Sequence, residues 1–169
     1  MKTWTSRIVT ITATALLAGL PMGAQALPEA GKQAAEARVE DVDGKELKLS
    51  SLRGSPVVIV YEDRDTSADN AAFKEDLSRA TRDAEVKKAL VVTPVADVSE
   101  YNSWPAKGFV KDAIREQSKQ LGTTIWCDWD ASFRSALKLE PKRSKLNEAQ
   151  RKTAIEAVKR AVASKAEAA

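Results

Sequence analysis

The sequence predicts one α/β domain, a parallel sheet flanked by helices, preceded by an export signal. Three observations carry this. A β-branched run, Val57-Val58-Ile59-Val60-Tyr61, leads into a polar turn and then a helical pattern. A second apolar run, residues 89–95, is followed after a loop by another helical pattern. A third short strand, residues 123–128, precedes a brief helix and a long terminal one.

Residues 1–26 read as a signal peptide. Lys2 and Arg7 form a basic start, Ile8 to Leu20 is mostly apolar, and Ala24-Gln25-Ala26 is a small-residue cleavage pattern. A retained membrane anchor is the alternative. Against it, the apolar stretch is interrupted by threonines and falls short of the ~20 residues a spanning helix needs. No cysteine follows the cleavage pattern, so a lipid anchor is not indicated. The expected location is therefore periplasmic or secreted, with no membrane contact after cleavage. Residues 27–38 read as a lead-in, and residues 39–165 as the domain.

Within the domain, Asp43-Gly44 is a hairpin-type turn, and Leu47 and Leu49 alternate with polar residues like a half-exposed strand. Gly54-Ser55-Pro56 ends a short turn and starts the buried strand. Thr66 or Ser67 is positioned to cap a helix over residues 67–82, with Ala68, Ala72, Phe73, Leu77 and Ala80 on one face. In the second run, Pro94 is expected at the strand end, because proline cannot donate to a central ladder. A loop carrying Tyr101 and Trp104 leads to a helix over residues 107–121, with Phe109, Val110, Ile114 and Leu121 at helical spacing and Gly122 as its stop. Asp130 is placed to cap the brief helix, and residues 147–163 form the last one.

Composition excludes several chemistries. The chain has no histidine, which removes Ser-His-Asp and Cys-His mechanisms and histidine-ligated zinc. Its one cysteine, Cys127, cannot form an internal disulfide. The net charge is +3, and loss of Lys2 and Arg7 leaves 25 basic residues against 24 acidic ones. Those charges are interspersed along helices, which is no footprint for nucleic acid. No cofactor or metal is indicated, and the acidic residues match no calcium-loop spacing.

The stretch from Asp43-Gly44-Lys45 through Leu49-Ser50-Ser51-Leu52-Arg53-Gly54-Ser55-Pro56 into Val57–Tyr61 resembles the thioredoxin-like redoxin superfamily. A nearer resemblance is to the YtfJ-type secreted bacterial proteins. It is carried by Arg64-Asp65-Thr66-Ser67-Ala68-Asp69-Asn70-Ala71, Gly108-Phe109-Val110-Lys111, and Asp128-Trp129-Asp130-Ala131-Ser132-Phe133-Arg134 with Leu137-Lys138-Leu139. These resemblances imply a periplasmic thioredoxin-like domain of undefined role.

They also locate the departures. The Cys-x-x-Cys of an active thioredoxin would fall at about Asp65–Ala68, and the peroxidatic cysteine place of a peroxiredoxin is Asp69, with Thr66 in the threonine place. The closing β-hairpin of the redoxins, expected after Leu139, is missing around residues 140–146. That leaves a central strand at a sheet edge, so the chain is expected either to be less stable or to carry an internal deletion.

The function expected is a non-catalytic binding or scaffold module for an unknown periplasmic protein or small ligand. Its candidate ligand residues are Glu62, Asp63, Arg64, Asp65, Thr66, Ser67, Asp69 and Asn70 at the strand-to-helix junction, with Trp104. Such junctions are where α/β sheets bind ligands. The bland reading of the same residues is a helix cap with solvated charges. The functional alternative is a thiol-dependent oxidoreductase or peroxidase using Cys127, with a member that has lost its function as a third possibility. A cysteine near a strand end is more often a small buried hydrophobe. Trp104, Trp126, Trp129 and Tyr101 are expected mainly as core.

Overall fold

The computed structural model describes residues 10–12, 33–139 and 145–167. Its sheet contains β1 (Thr10–Thr12), β2 (Arg38–Glu40), β3 (Glu46–Lys48), β4 (Val57–Glu62), β5 (Val91–Asp97) and β6 (Trp126–Asp128), in the order β1-β4-β5-β6-β2-β3. The helices are α1 (Ala71–Ala80), α2 (Ala84–Ala89), α3 (Ala106–Leu121), α4 (Ser132–Ala136) and α5 (Glu148–Glu167). Strands β1, β4, β5 and β6 run parallel, while β2 pairs antiparallel with both β3 and β6. The expected α/β sheet flanked by helices is present.

β4 is a continuous apolar strand because both of its faces are covered. Val57 and Ile59 join Ala37, Val39, Val95, Phe133 and Leu137 on one face. Val58 and Val60 face the other way, against Phe73 and Leu77 of α1 and Val158 and Val162 of α5. Farther along that second face, α3 contributes Ile114 to a cluster with Ile125, Cys127 and Trp129.

The Asp43-Gly44 turn joins β2 to β3 as the sequence implied, with Gly44 at φ 88° and the Asp41 carboxylate accepting from the Asp43 and Lys45 amides at 2.9 Å each. Gly122 ends α3 in the left-handed region at φ 64°, which glycine adopts without a Cβ penalty.

Four expectations are corrected. The first helix starts at Ala71 rather than residue 67, and Ala68 and Ala72 are exposed, so its buried stripe is only Phe73 and Leu77. Thr66 does not cap it: its amide and hydroxyl bond the Asp63 carboxylate at 2.7 and 2.6 Å, closing a local turn that competes with the helix. Pro94 lies inside β5, opposite Val60. It is accommodated because β6 begins only opposite Val95, leaving Pro94 with a strand on one side. Finally, Phe109 and Leu121 are 75% and 60% exposed, since only a narrow face of α3 meets the sheet. α2 was not anticipated; Asp83 caps it by accepting from the Glu85 and Val86 amides at 2.9 and 3.2 Å.

No strand follows β6 among the described residues, and α5 is the last element. The segment 140–144, where a closing hairpin was sought, lies outside them. The side of β4 away from β5 is instead occupied by β1, which pairs Thr10 with Val57, Ile11 with Val58 and Thr12 with Ile59. These three residues belong to the stretch read as an export signal; the rest of residues 1–26 lies outside the described residues.

The two phenylalanines give a direct check on this packing. Phe73, 1% exposed, should lose about 3–5 kcal/mol of stability when changed to alanine. Phe109→Ala should stay within about 0.5 kcal/mol of wild type. Urea unfolding of both variants measures the contrast.

Candidate functional site

The carboxyl ends of β4, β5 and β6 lie side by side, and their register sorts the polar residues there into two groups. Glu62, Ala96 and Cys127 form one cross-strand row. Tyr61 pairs with Val95, and Asp97 with Asp128, which puts Tyr61, Asp97 and Asp128 on the opposite face because strand side chains alternate.

On the first face, Glu62 Oε2 accepts from Lys74 Nζ of α1 at 2.9 Å, and the same ammonium donates to the Ser67 carbonyl at 2.8 Å. Lys74 thus ties the strand end to the turn. Glu62 Oε1 and Asn70 Oδ1 are buried acceptors with no hydrogen-bond partner among the described residues. Asn70 is 7% exposed, at the start of α1, with no side-chain capping bond.

The turn between them is built on Asp63. Besides accepting from Thr66, Asp63 donates its own amide to Thr66 Oγ1 at 3.2 Å. Thr66 is therefore a buried structural residue, and Ser67 is half-buried with its hydroxyl directed at the Arg64 carbonyl at 3.4 Å. Arg64, Asp65 and Asp69 are exposed. Of the candidate set, Glu62, Asp63, Thr66 and Ser67 are thus brought into one bonded turn, and Asn70 is buried beside the start of α1 with its side-chain oxygen unpartnered among the described residues. Arg64, Asp65 and Asp69 form its solvent side.

Trp104 stands in the loop after β5, at the same end of the sheet, and is 91% exposed, so it is not the core residue expected. No hydrogen bond joins it to residues 62–70 among the described residues. The other aromatics divide as core: Trp129 is buried with the Lys107 ammonium 4.6 Å from its ring centroid, while Trp126 and Tyr101 are half-buried.

The second face holds a network that sequence reasoning missed. The Tyr61 hydroxyl donates to Asp128 Oδ2 at 3.0 Å, and the Phe133 and Arg134 amides donate to Asp128 Oδ1 and Oδ2 at 3.2 and 3.0 Å. Asp128 thereby satisfies the second and third amides of α4 from inside the sheet, while Asp130, expected to cap this helix, accepts from the first, Ser132, at 3.0 Å. The Asp97 carboxylate accepts from the Ser99 hydroxyl and amide at 2.7 and 3.2 Å and pairs with the Arg134 guanidinium. The Tyr61 and Phe133 rings stack at 6.0 Å and 7°. The visible signal was an aspartate closing each of two strands; the cross-strand register that joins them is absent from local pattern.

Burial raises the Asp128 carboxyl above its ordinary range against its amide donors and Tyr61, and Asp97 adds to the rise. Burial also acts upward on Asp97, but the Ser99, Tyr61 and Arg134 donors outweigh it and lower that carboxyl. Burial first, then the two aspartates, pushes the Tyr61 phenol upward, so it stays a donor.

Cys127 is 1% exposed within β6. Burial, with Asp41 next in weight, pushes its thiol up to about 12. The thiolate needed for nucleophilic or redox chemistry is therefore scarce at neutral pH. Among the described residues, no group of three or more Cys, Asp or Glu side chains is arranged to hold a metal ion, and no helix is long and apolar enough to cross a membrane.

The two buried carboxylates predict opposite pH responses. Asp97, depressed on folding, contributes stability above an unfolded value of about 3.9 that is lost as pH falls through its folded value. Asp97→Asn should therefore cost most near neutrality, about 1–3 kcal/mol, and least in acid. Asp128, raised on folding, makes stability fall as pH rises from about 3.9 through its folded value. The cost of Asp128→Asn relative to wild type should accordingly shrink as pH rises. Urea titrations between about pH 3 and 7 read both slopes.

The fold has a counterpart among solved structures. The chain is similar to a candidate protein disulfide isomerase from Bacteroides thetaiotaomicron, with a TM-score of 0.53 and 15% sequence identity over 79% of this chain and 89% of that one. A thiol:disulfide interchange protein of the thioredoxin family from Chlorobium tepidum TLS aligns at a TM-score of 0.45 and 13% identity, over 76% of this chain and 94% of that one. No family model and no curated protein matches the chain. The fold is thioredoxin-like, and at these identities the likeness concerns the fold alone.

Proposed function

We propose that this chain is an exported, periplasmic binding module of the YtfJ type, with a thioredoxin-like fold and no thiol chemistry. One observation carries the reading. The turn after β4 holds Asp65, Ala68 and Asp69 where thiols would stand, and the single cysteine is sealed inside β6 with its thiol pushed up to about 12. Turnover through Cys127 would require a nucleophile that is neither ionised nor reachable.

The binding surface is the exposed rim of the sheet's carboxyl end. Arg64, Asp65 and Asp69 line one side, held in place by the Asp63–Thr66 turn and by Lys74. Trp104, with nearly all of its surface in solvent, stands on the loop from the neighbouring strand. A hydrogen-bonded turn and an exposed tryptophan at the same end of the sheet are suited to a protein segment or a small ligand, because aromatic anchors dominate interface energetics. No cofactor is required by this role.

The test separates binding from turnover. Native protein should neither reduce insulin disulfides nor consume peroxide, and Cys127→Ser should behave identically. The Cys127 thiol should react with a chromogenic disulfide reagent only after unfolding. Immobilised protein should retain a component of periplasmic extract that Arg64→Ala and Trp104→Ala fail to retain, whereas Cys127→Ser keeps it. Cysteine-dependent turnover would sink the reading.

A further inference from the structure

The turn after β4 holds more acceptors than its own donors satisfy. The Lys74 ammonium reaches Glu62 Oε2 at 2.9 Å and the Ser67 carbonyl at 2.8 Å. Glu62 Oε1 and Asn70 Oδ1 are buried with no donor among the described residues. Asn70 is 7% exposed, and a buried acceptor left without a partner is costly. Its backbone carbonyl accepts the Lys74 amide at 2.9 Å, so the two residues stand one turn apart on the same side of α1. Helical side chains lean toward the N-terminus, as Lys74 does in reaching Ser67. Its stem therefore runs back past Asn70 to the Glu62 carboxylate, and both open oxygens belong to the surroundings of one ammonium.

We propose, resting on the binding-module reading above, that this turn binds the guanidinium of an arginine on a partner protein, which takes the place of the Lys74 ammonium. An ammonium is a compact point charge, and here it meets one oxygen of the carboxylate. A guanidinium is a planar fork whose paired N–H groups meet both oxygens at once. Its remaining N–H groups leave a donor for Asn70 Oδ1. The ligand thus satisfies the two acceptors that the fold leaves open.

The resident pair is readily exchanged. The Lys74 side chain is 42% exposed, and ion pairs with such a partner contribute little. Because both open oxygens are buried, the guanidinium reaches them as the Lys74 side chain swings out into water. The surrounding charge favours a cation, since Asp65 and Asp69 are exposed on the turn beside a single exposed base, Arg64. A divalent metal ion is poorly matched: among the described residues no group of three Cys, Asp or Glu side chains gathers to hold one.

The test titrates the isotope-labelled full chain with capped Gly-Arg-Gly, Gly-Lys-Gly and Gly-citrulline-Gly peptides and with agmatine, a free guanidinium. Binding is read from the NMR shifts of the Glu62, Asn70 and Lys74 amides. The arginine peptide should bind about tenfold tighter than the lysine peptide, and the neutral citrulline peptide should not bind. Glu62→Gln, which removes the charge and the second acceptor oxygen, should weaken binding about tenfold or more. Lys74→Met removes the resident ammonium and should tighten binding by a similar factor, which a purely structural Lys74 would not produce. Asn70→Asp keeps an acceptor and adds charge, so it should tighten binding too. Circular dichroism confirms that each variant is folded. Equal binding of the arginine, lysine and citrulline peptides, or none to the native chain and Lys74→Met alike, overturns the arginine site. Agmatine bound more tightly than the arginine peptide overturns the protein partner. Retention of an extract component that depends on Arg64 and Trp104 would then leave the binding module standing, and its loss as well would overturn both.

Discussion

Covering both faces of β4 is the constraint on which the other elements depend. Val57 and Ile59 need the lead-in, the hairpin and α4; Val58 and Val60 need α1 and α5. Because both covers are anchored on Val57–Val60, their packing fixes the direction in which β4 ends. The chain leaves the strand at Glu62 into a turn that the Asp63–Thr66 bonds hold closed. The rim that could meet a ligand is therefore rigid for reasons of core packing.

Two polar systems share this end of the sheet without mixing, since alternation along β4 sends Tyr61 to one face and Glu62 to the other. The Tyr61–Asp128–Asp97–Arg134 network looks inward and ties three strands to α4. Its carboxylates are occupied by backbone amides and donors, which is how a structural network is built. The Glu62–Lys74–Ser67 system faces α1, and its spare acceptors are the unfinished part of the fold. Cys127 lies in the same cross-strand row as Glu62, yet α3 and Trp129 enclose it. Its neighbourhood favours the neutral thiol.

Much of the frame was legible in the residues. The Val57–Tyr61 run, the Asp43-Gly44 turn and the Gly122 stop each carry their own local reason, β-branching or a positive φ, and each stands where it was expected. The candidate turn was found as a stretch, but its division into bonded and exposed residues was not. Thr66 could equally cap a helix or close a turn with Asp63, and local pattern does not decide between two short-range bonds of similar strength. Val110 keeps i,i+4 spacing with Ile114 and is half-buried, whereas Phe109, one residue earlier and so turned away from that face, is exposed; apolar character alone does not say how wide a face the sheet will cover.

By itself, the sequence determined the alternation of strands and helices, the absence of histidine chemistry, and the lack of a thiol after the central strand. These are properties of single residues and short windows, where sterics and side-chain chemistry act locally. Only the tertiary structure decided that Asp97 meets Asp128, that Cys127 is sealed, and that β4 takes its second neighbour from residues 10–12. Those outcomes rest on register and strand order between segments far apart in the chain. A shift of one residue in the pairing of β4 with β5 would have turned Tyr61 and Glu62 to opposite faces from those they occupy.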